Sequence, residues 1–226
     1  MNTSDVVRRF WASHLGVDAT ASGVVIRSVP DGDTLSVVRL GDTTLVIAPS
    51  DVAERLAELD DDALLDLDAL CAIAGPRARP RGVAHLAYAD GATIRRIEDE
   101  RVVALEPADP RLAALEAACA EEEWLEAGMD ETLLHRFGFD LDGHLVTCAG
   151  YQVWDATIAQ LDVITHPAHR RHGYARRTAS TAAAAAIDEG LIAQWRSRTS
   201  NTASTALGEQ LGFVRLGTQA TVRFDP

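Results

Sequence analysis

Between Leu161 and Ala175 the chain reads Leu-Asp-Val-Ile-Thr-His-Pro-Ala-His-Arg-Arg-His-Gly-Tyr-Ala. An apolar run is stopped by Pro167, which cannot donate to a sheet ladder. A turn bearing Arg and Gly follows, then a stretch from Tyr174 to Glu189 with alanine at every position from 182 to 186. Alanine has the highest helix propensity, and Gly190 supplies the stop. The passage predicts a strand, a turn and a long helix. Unpaired N–H groups at such a helix start face outward, and the dipole there favours negative charge. Gly173 lets the backbone approach a ligand closely, while Arg170 and Arg171 add charge-assisted donors. These residues predict a cradle for a phosphate or pyrophosphate. It is not a Walker loop, because the Gly-Lys pair is missing, and a single glycine is not a dinucleotide fingerprint.

The chain has 226 residues, enough for one large or two small domains at roughly 150 residues each. Hydrophobic residues make up 47% and charged residues 24%, which excludes a disordered or collagen-like chain. No run of about 18 apolar residues exists, and Met1 to Ser13 carries no apolar core of a signal peptide. Cys71, Cys119 and Cys148 are odd in number and widely spaced, so they read as small hydrophobes in a reducing compartment. A cytoplasmic protein is the expectation. The net charge of −13 repels nucleic acid and anionic lipid, which sets both aside as partners. All 21 cations are Arg, which excludes lysine Schiff-base, lysine general-base and Walker chemistry.

Two halves are predicted, 1–98 and 99–226. The first opens with a helix, Ser4–His14, with Val6, Val7, Phe10 and Trp11 at helical spacing. Strands Gly23–Val29 and Thr34–Arg39 are joined by Pro30-Asp31-Gly32-Asp33, and Thr43–Ala48 reads as a third strand. Ser50 caps a helix over Asp51–Leu59, and Asp60–Ala74 reads as another. A breaker-rich loop, Gly75–Gly82, precedes an apolar run over Val83–Ala89. The acids of 60–68 lack the glycine and final Glu of a calcium loop.

The second half reads β-α-α-β-β-β-α-β-α-β-β. Arg101–Glu106 is a strand, Asp109-Pro110 starts a helix with Leu112, Leu115 and Ala118, and Glu121–Gly128 continues it or forms a second helix. Gly143–Val153 and Thr157–Thr165 are strands around a turn at 154–156. Leu191–Arg198 is a strand, Ala203–Gln210 a short helix, and Phe213–Phe224 a closing pair of strands.

Arg170-x-x-Gly173-x-Ala175 after a strand resembles the Gln/Arg-x-x-Gly-x-Gly/Ala motif of the GNAT acyltransferases. Downstream, Asn201-x-x-Ser204-x-x-Leu207-x-x-x-Leu211-Gly212-Phe213 is similar to the family's fourth-helix signature. The likeness covers about 101–226, and Thr165-His-Pro-x-x-Arg170 resembles a subgroup with an extra N-terminal region. The resemblance implies an α/β (α+β) fold: a mixed, mostly antiparallel sheet flanked by helices, with a smaller N-terminal α+β domain. It implies acetyl-CoA as co-substrate and no metal. A splayed strand at Val163, Ile164 and Thr165 would bind pantetheine and hold the oxyanion. Arg170, Arg171, His172, Gly173, Tyr174 and Ala175 would wrap the pyrophosphate, and Asn201 would bond the pantetheine arm.

One departure matters. Many members carry a Tyr seven residues after that Asn as general acid; here the position is Gly208. A thiol is a modest base, so water oriented by Ser204 can protonate the leaving group. Asp162, beside the splay, is the candidate base, ahead of Asp155 and Glu121, Glu122 and Glu123. His166, His169 and His172 raise zinc, but a turn points them in different directions. Trp124, Trp154 and Trp195 read either as core or as an aromatic wall for an amine. The expected function is transfer of acetyl to a primary amine of a small molecule or peptide. The alternative is a non-catalytic acyl-CoA sensor or structural module. Residues 1–98 are left as a lid, a degenerate copy or a dimerisation region, the last giving a homodimer.

Overall fold

The computed structural model describes residues 2–20, 22–129, 133 and 135–225. In chain order the first elements are α1 (Thr3–Leu15), β1 (Gly23–Val29), β2 (Thr34–Leu40), β3 (Thr43–Pro49), α2 (Ser50–Leu56), α3 (Leu67–Ala74) and β4 (Ala78–Ala89). Next come β5 (Val102–Leu105), α4 (Pro110–Ala118), α5 (Glu121–Glu126), β6 (His135–Leu141), β7 (His144–Trp154) and β8 (Ile158–Thr165). The chain ends with α6 (Tyr174–Asp188), β9 (Ile192–Arg198), α7 (Thr202–Leu211) and β10 (Val214–Phe224). Contacts divide it into two compact units: 1–87 with 196–205 and 215–226, and 88–195 with 206–214. A single cut at residue 98 does not describe this division, because β10 pairs with β2 and so belongs with the first unit.

In the first unit the strand order is β1-β3-β2-β10-β4. The core gathers Leu35, Val37, Val46, Val52, Leu56 and Val222. Asn2 caps α1 by accepting from the Asp5 N–H. One pairing goes beyond what the sequence states, and two expectations need correction. β1 and β2 are not neighbours; β1 runs parallel to β3, which lies between them. The cause is the tighter link of β2 to β3, where Leu40 faces Thr43 across a two-residue loop with Gly41 at φ 60°. The helix expected over 60–74 is a 3₁₀ turn at Ala63–Leu65 followed by α3, because Asp66 leaves the helical path to cap Ala69 N–H. β4 starts inside the expected loop, passing through Pro80 and Gly82.

In the second unit the strand order is β9-β8-β7-β6-β5, antiparallel except for the parallel β8–β9 pair. This mixed sheet flanked by helices is the expected fold class. Leu115 of α4 packs with Leu105, Leu133, Cys148 and Ile164 on one face. Tyr151, on β7, bonds Glu189 just past the end of α6, which marks the other face. β6 is the unplaced strand of the β-β-β run in the sequence reading. The expected closing pair is one strand, β10, because Gly217 sits in the ladder opposite Leu40 rather than turning the chain.

Candidate active site

β8 is paired along its whole length with β7, from Ile158↔Trp154 to Thr165↔Thr147. Its pairing with β9 stops at Leu161↔Trp195. From Asp162 onward β8 therefore has one ladder only. His166 N–H donates to the Val146 carbonyl at 2.9 Å, which makes 166/146 a hydrogen-bonded pair. Antiparallel pairs alternate, so 164/148 and 162/150 are hydrogen-bonded and 165/147 and 163/149 are not. Val163 and Thr165 thus turn their N–H and C=O groups away from β7, to the side β9 has left. Ile164 turns its backbone to β7 and its side chain, 6% exposed, into the α4-side core. Of the three residues expected to offer backbone to a ligand, the geometry leaves two.

The turn that follows is built from its own side chains. His166 Nδ1 accepts from the Ala168 N–H at 3.1 Å, starting a 3₁₀ turn over Pro167–His169. His172 Nδ1 lies 2.8 Å from the Arg170 carbonyl oxygen, and its ring stacks on Tyr174 at 5.6 Å. Two of the three histidines thus act as local braces. Arg171 and Gly173 have φ of 65° and 78°. A left-handed residue next to a helix start gathers N–H groups into an anion-binding concavity. Gly173 is the N-cap of α6 and provides no side-chain cap, so the N–H groups opening the helix are left to a ligand. Arg171 and Arg176 are exposed and have no hydrogen bond or ion pair among the described residues. Tyr174 also packs on Phe139 at 4.4 Å, and Ala175 lies in the first turn. Such a concavity can hold an anion.

Arg170 is placed differently from the expectation. Its Nη1 and Nη2 form a two-pronged bond with Glu123 of α5, at 2.9 and 2.8 Å, and its Nε donates to the Thr165 carbonyl at 3.2 Å. The side chain braces the end of β8 against α5 rather than reaching for an anion. The guanidinium in turn holds the Glu123 carboxyl below its usual range, which removes Glu123 from the candidate bases. Deeper in the unit, Asp99 takes three hydrogen bonds from Arg101 and an ion pair from Arg177 of α6 at 3.1 Å. The Arg101 bonds hold its carboxyl down to about 2.

Asp162 shares the α4 face of β8 with Ile164, since side chains alternate along a strand. A Cβ on Gly128, just past α5, would come within 2.9 Å of both Asp162 carboxylate oxygens. Gly128 sits at φ 63°, so the lack of a side chain there serves both its backbone and the carboxylate's position. Nothing in the sequence pattern pointed to Gly128.

In the first unit, Asn201 Oδ1 accepts from the Ser204 N–H at 3.0 Å and caps α7. Its Nδ2 remains as a donor. Ser204 occupies the first turn of that helix. Within the second unit, Gly208 is buried and a Cβ there would lie 2.9 Å from Trp195 Cδ1. The indole, 4% exposed and 5.4 Å from Phe213, fills the space a side chain at 208 would use. Trp195 is core, not an acceptor wall.

The forked strand, the left-handed turn and the uncapped helix leave main-chain donors exposed along one end of the second unit's sheet. A profile described as the acetyltransferase (GNAT) family matches residues 96–213, more than half of the 226-residue chain. The protein belongs to that family. A solved GNAT-family structure from Novosphingobium aromaticivorans is similar: 26% identity, TM-score 0.52, over 67% of this chain and 69% of that one. The GNAT-family acetyltransferase of Colwellia psychrerythraea shares the fold at 17% identity and TM-score 0.53. That match covers 70% of this chain and 61% of the other. No curated protein sequence matches the chain. Among the described residues no helix is long and apolar enough to cross a membrane.

Proposed function

We propose that the protein transfers an acetyl group from acetyl-CoA to a primary amine of a small molecule or peptide. The observation that carries this reading is the fork at Leu161, where β8 loses β9 and turns the Val163 N–H and C=O and the Thr165 N–H away from any ladder, the Thr165 carbonyl being taken by Arg170. Backbone N–H groups aimed into such a gap stabilise the oxyanion of a thioester under attack. The concavity at 170–175 takes the pyrophosphate through main-chain donors. The ammonium form of the acceptor gives a proton to Asp162, and the neutral amine attacks the thioester carbon with its lone pair. The electron pair of the breaking C–S bond goes to sulfur, and water carries the proton left on the new amide nitrogen to the thiolate. The protein acts in the cytoplasm, away from nucleic acid and membranes, and the first unit serves as a dimer surface.

A second reading is favoured by one observation. Trp195 fills the position at Gly208 where many relatives carry the general acid. A chain lacking that group serves as an acyl-CoA sensor without turnover. Melting with and without acetyl-CoA, together with thiol release in the presence of an amine panel, tests both. Acetyl-CoA at 100 times its dissociation constant adds about 2.7 kcal/mol of stability. A shift with thiol release supports transfer, and a shift without it supports the sensor. No shift overturns both.

A further inference from the structure

Two matching tripeptides, Ala159-Gln160-Leu161 and Ala193-Gln194-Trp195, lie side by side, with Gln160 level with Gln194 in the parallel ladder. Both glutamines are buried, at 5% and 0% exposure. Gln160 Nε2 donates to the Leu161 carbonyl at 2.8 Å, and Gln194 Nε2 donates to Gln160 Oε1 at 2.6 Å. The direction of this relay is fixed at its head. A carbonyl oxygen only accepts, so Gln160 must present its NH₂ to Leu161. Its own oxygen then faces Gln194, which must answer with its NH₂. Turning either amide over would set oxygen against oxygen or donor against donor. The relay therefore ends on Gln194 Oε1, a buried acceptor with no hydrogen-bond partner among the described residues.

Buried amide oxygens without a donor are rare and costly. We infer that Gln194 Oε1 holds a buried water on the sheet face that carries Asp162. The occupant is small because the side chain that holds it has no exposed surface. Side chains alternate along β8, so Gln160 and Asp162 share a face, about 7 Å apart along the strand. Asp162 is then the second polar partner such a water requires. The functional role rests on the acyl-transfer reading. There the water accepts one proton from the attacking amine and gives one to the Asp162 carboxylate, leaving itself unchanged. Gln194 is a positioning residue that acts through this water.

High-resolution diffraction of the full chain and of Gln194→Met tests the site directly. Density at about 2.7–3.2 Å from Oε1 in the wild type, absent in the variant, is expected. Melting of the Gln160→Met/Gln194→Met double variant is the second measurement. A satisfied relay makes the double variant melt below the wild type. A dry one makes it melt at or above the wild type, because an unsatisfied acceptor has been removed. No density together with an undiminished melting temperature overturns the proposal. The role is read from the pH profile of thiol release: Gln194→Met moves its acid limb while the KM for acetyl-CoA is kept. Failure of thiol release in every variant counts against acyl transfer, whereas density and melting decide the water independently.

Discussion

At the scale of single residues, glycines and their neighbours decide what the site contains. Gly208 stands where a catalytic tyrosine occurs in relatives, and the sequence alone presents this as a loss. The structure gives the reason: Trp195 lies against the glycine, with Cδ1 2.9 Å from where a Cβ would sit. Overpacking of this kind costs about 1–3 kcal/mol. Gly208→Ala is therefore expected to lower the unfolding free energy by that amount, read as a lower urea midpoint at unchanged slope. Trp195→Phe should relieve part of it, so the double variant should be less destabilised than the sum of the singles. Strict additivity would mean the two side chains do not compete. The indole was open to two readings in sequence because Ala-Gln-Trp gives no sign of which helix will cover it. Gly128 was unreadable for the same reason, since its partner Asp162 is distant along the chain and local patterns carry no trace of it.

At the scale of elements, local signals were legible and long-range pairings were not. The strand, turn and helix of 158–188 were readable because proline, glycine and alanine act on their own neighbourhood. The placement of β1 beside β3 depends on which of two links is the tighter, which neither turn sequence states by itself. The brace between Arg170 and Glu123 joins positions 47 residues apart, so the arginine looked free for an anion. Asp99 is a similar case, linking the approach to β5 with α6 through Arg101 and Arg177. Its carboxyl titrates near 4 in an unfolded chain and is held to about 2 in the fold. A depressed carboxyl stabilises above its unfolded value, and that contribution fades as pH falls from about 4 to about 2. Urea midpoints at pH 5 and pH 2.5 should therefore fall further for the wild type than for Asp99→Asn. Equal losses would show that Asp99 is not the group responsible.

At the scale of the whole molecule, the family's sequence match and the compact units do not coincide. The match ends at 213, just before β10 begins at Val214. That last strand takes its partner from the other end of the chain, with Ala220 opposite Val37 and Val222 opposite Leu35. A fragment of 99–226 keeps every family motif and loses this ladder. It is expected to melt without a cooperative transition, which circular dichroism would record. A sharp transition at the temperature of the intact chain would show that the first unit is dispensable for folding. Legibility stopped here because a boundary read from motif spacing assumes that neighbours in sequence stay together.

The path crosses between the units after residues 87, 195, 205 and 214. Such threading has a genealogical consequence. One recombination breakpoint anywhere in the coding sequence severs at least one unit from part of itself, so neither unit is inherited as a portable cassette. A crossover is therefore expected to be tolerated only between chains whose two units already match.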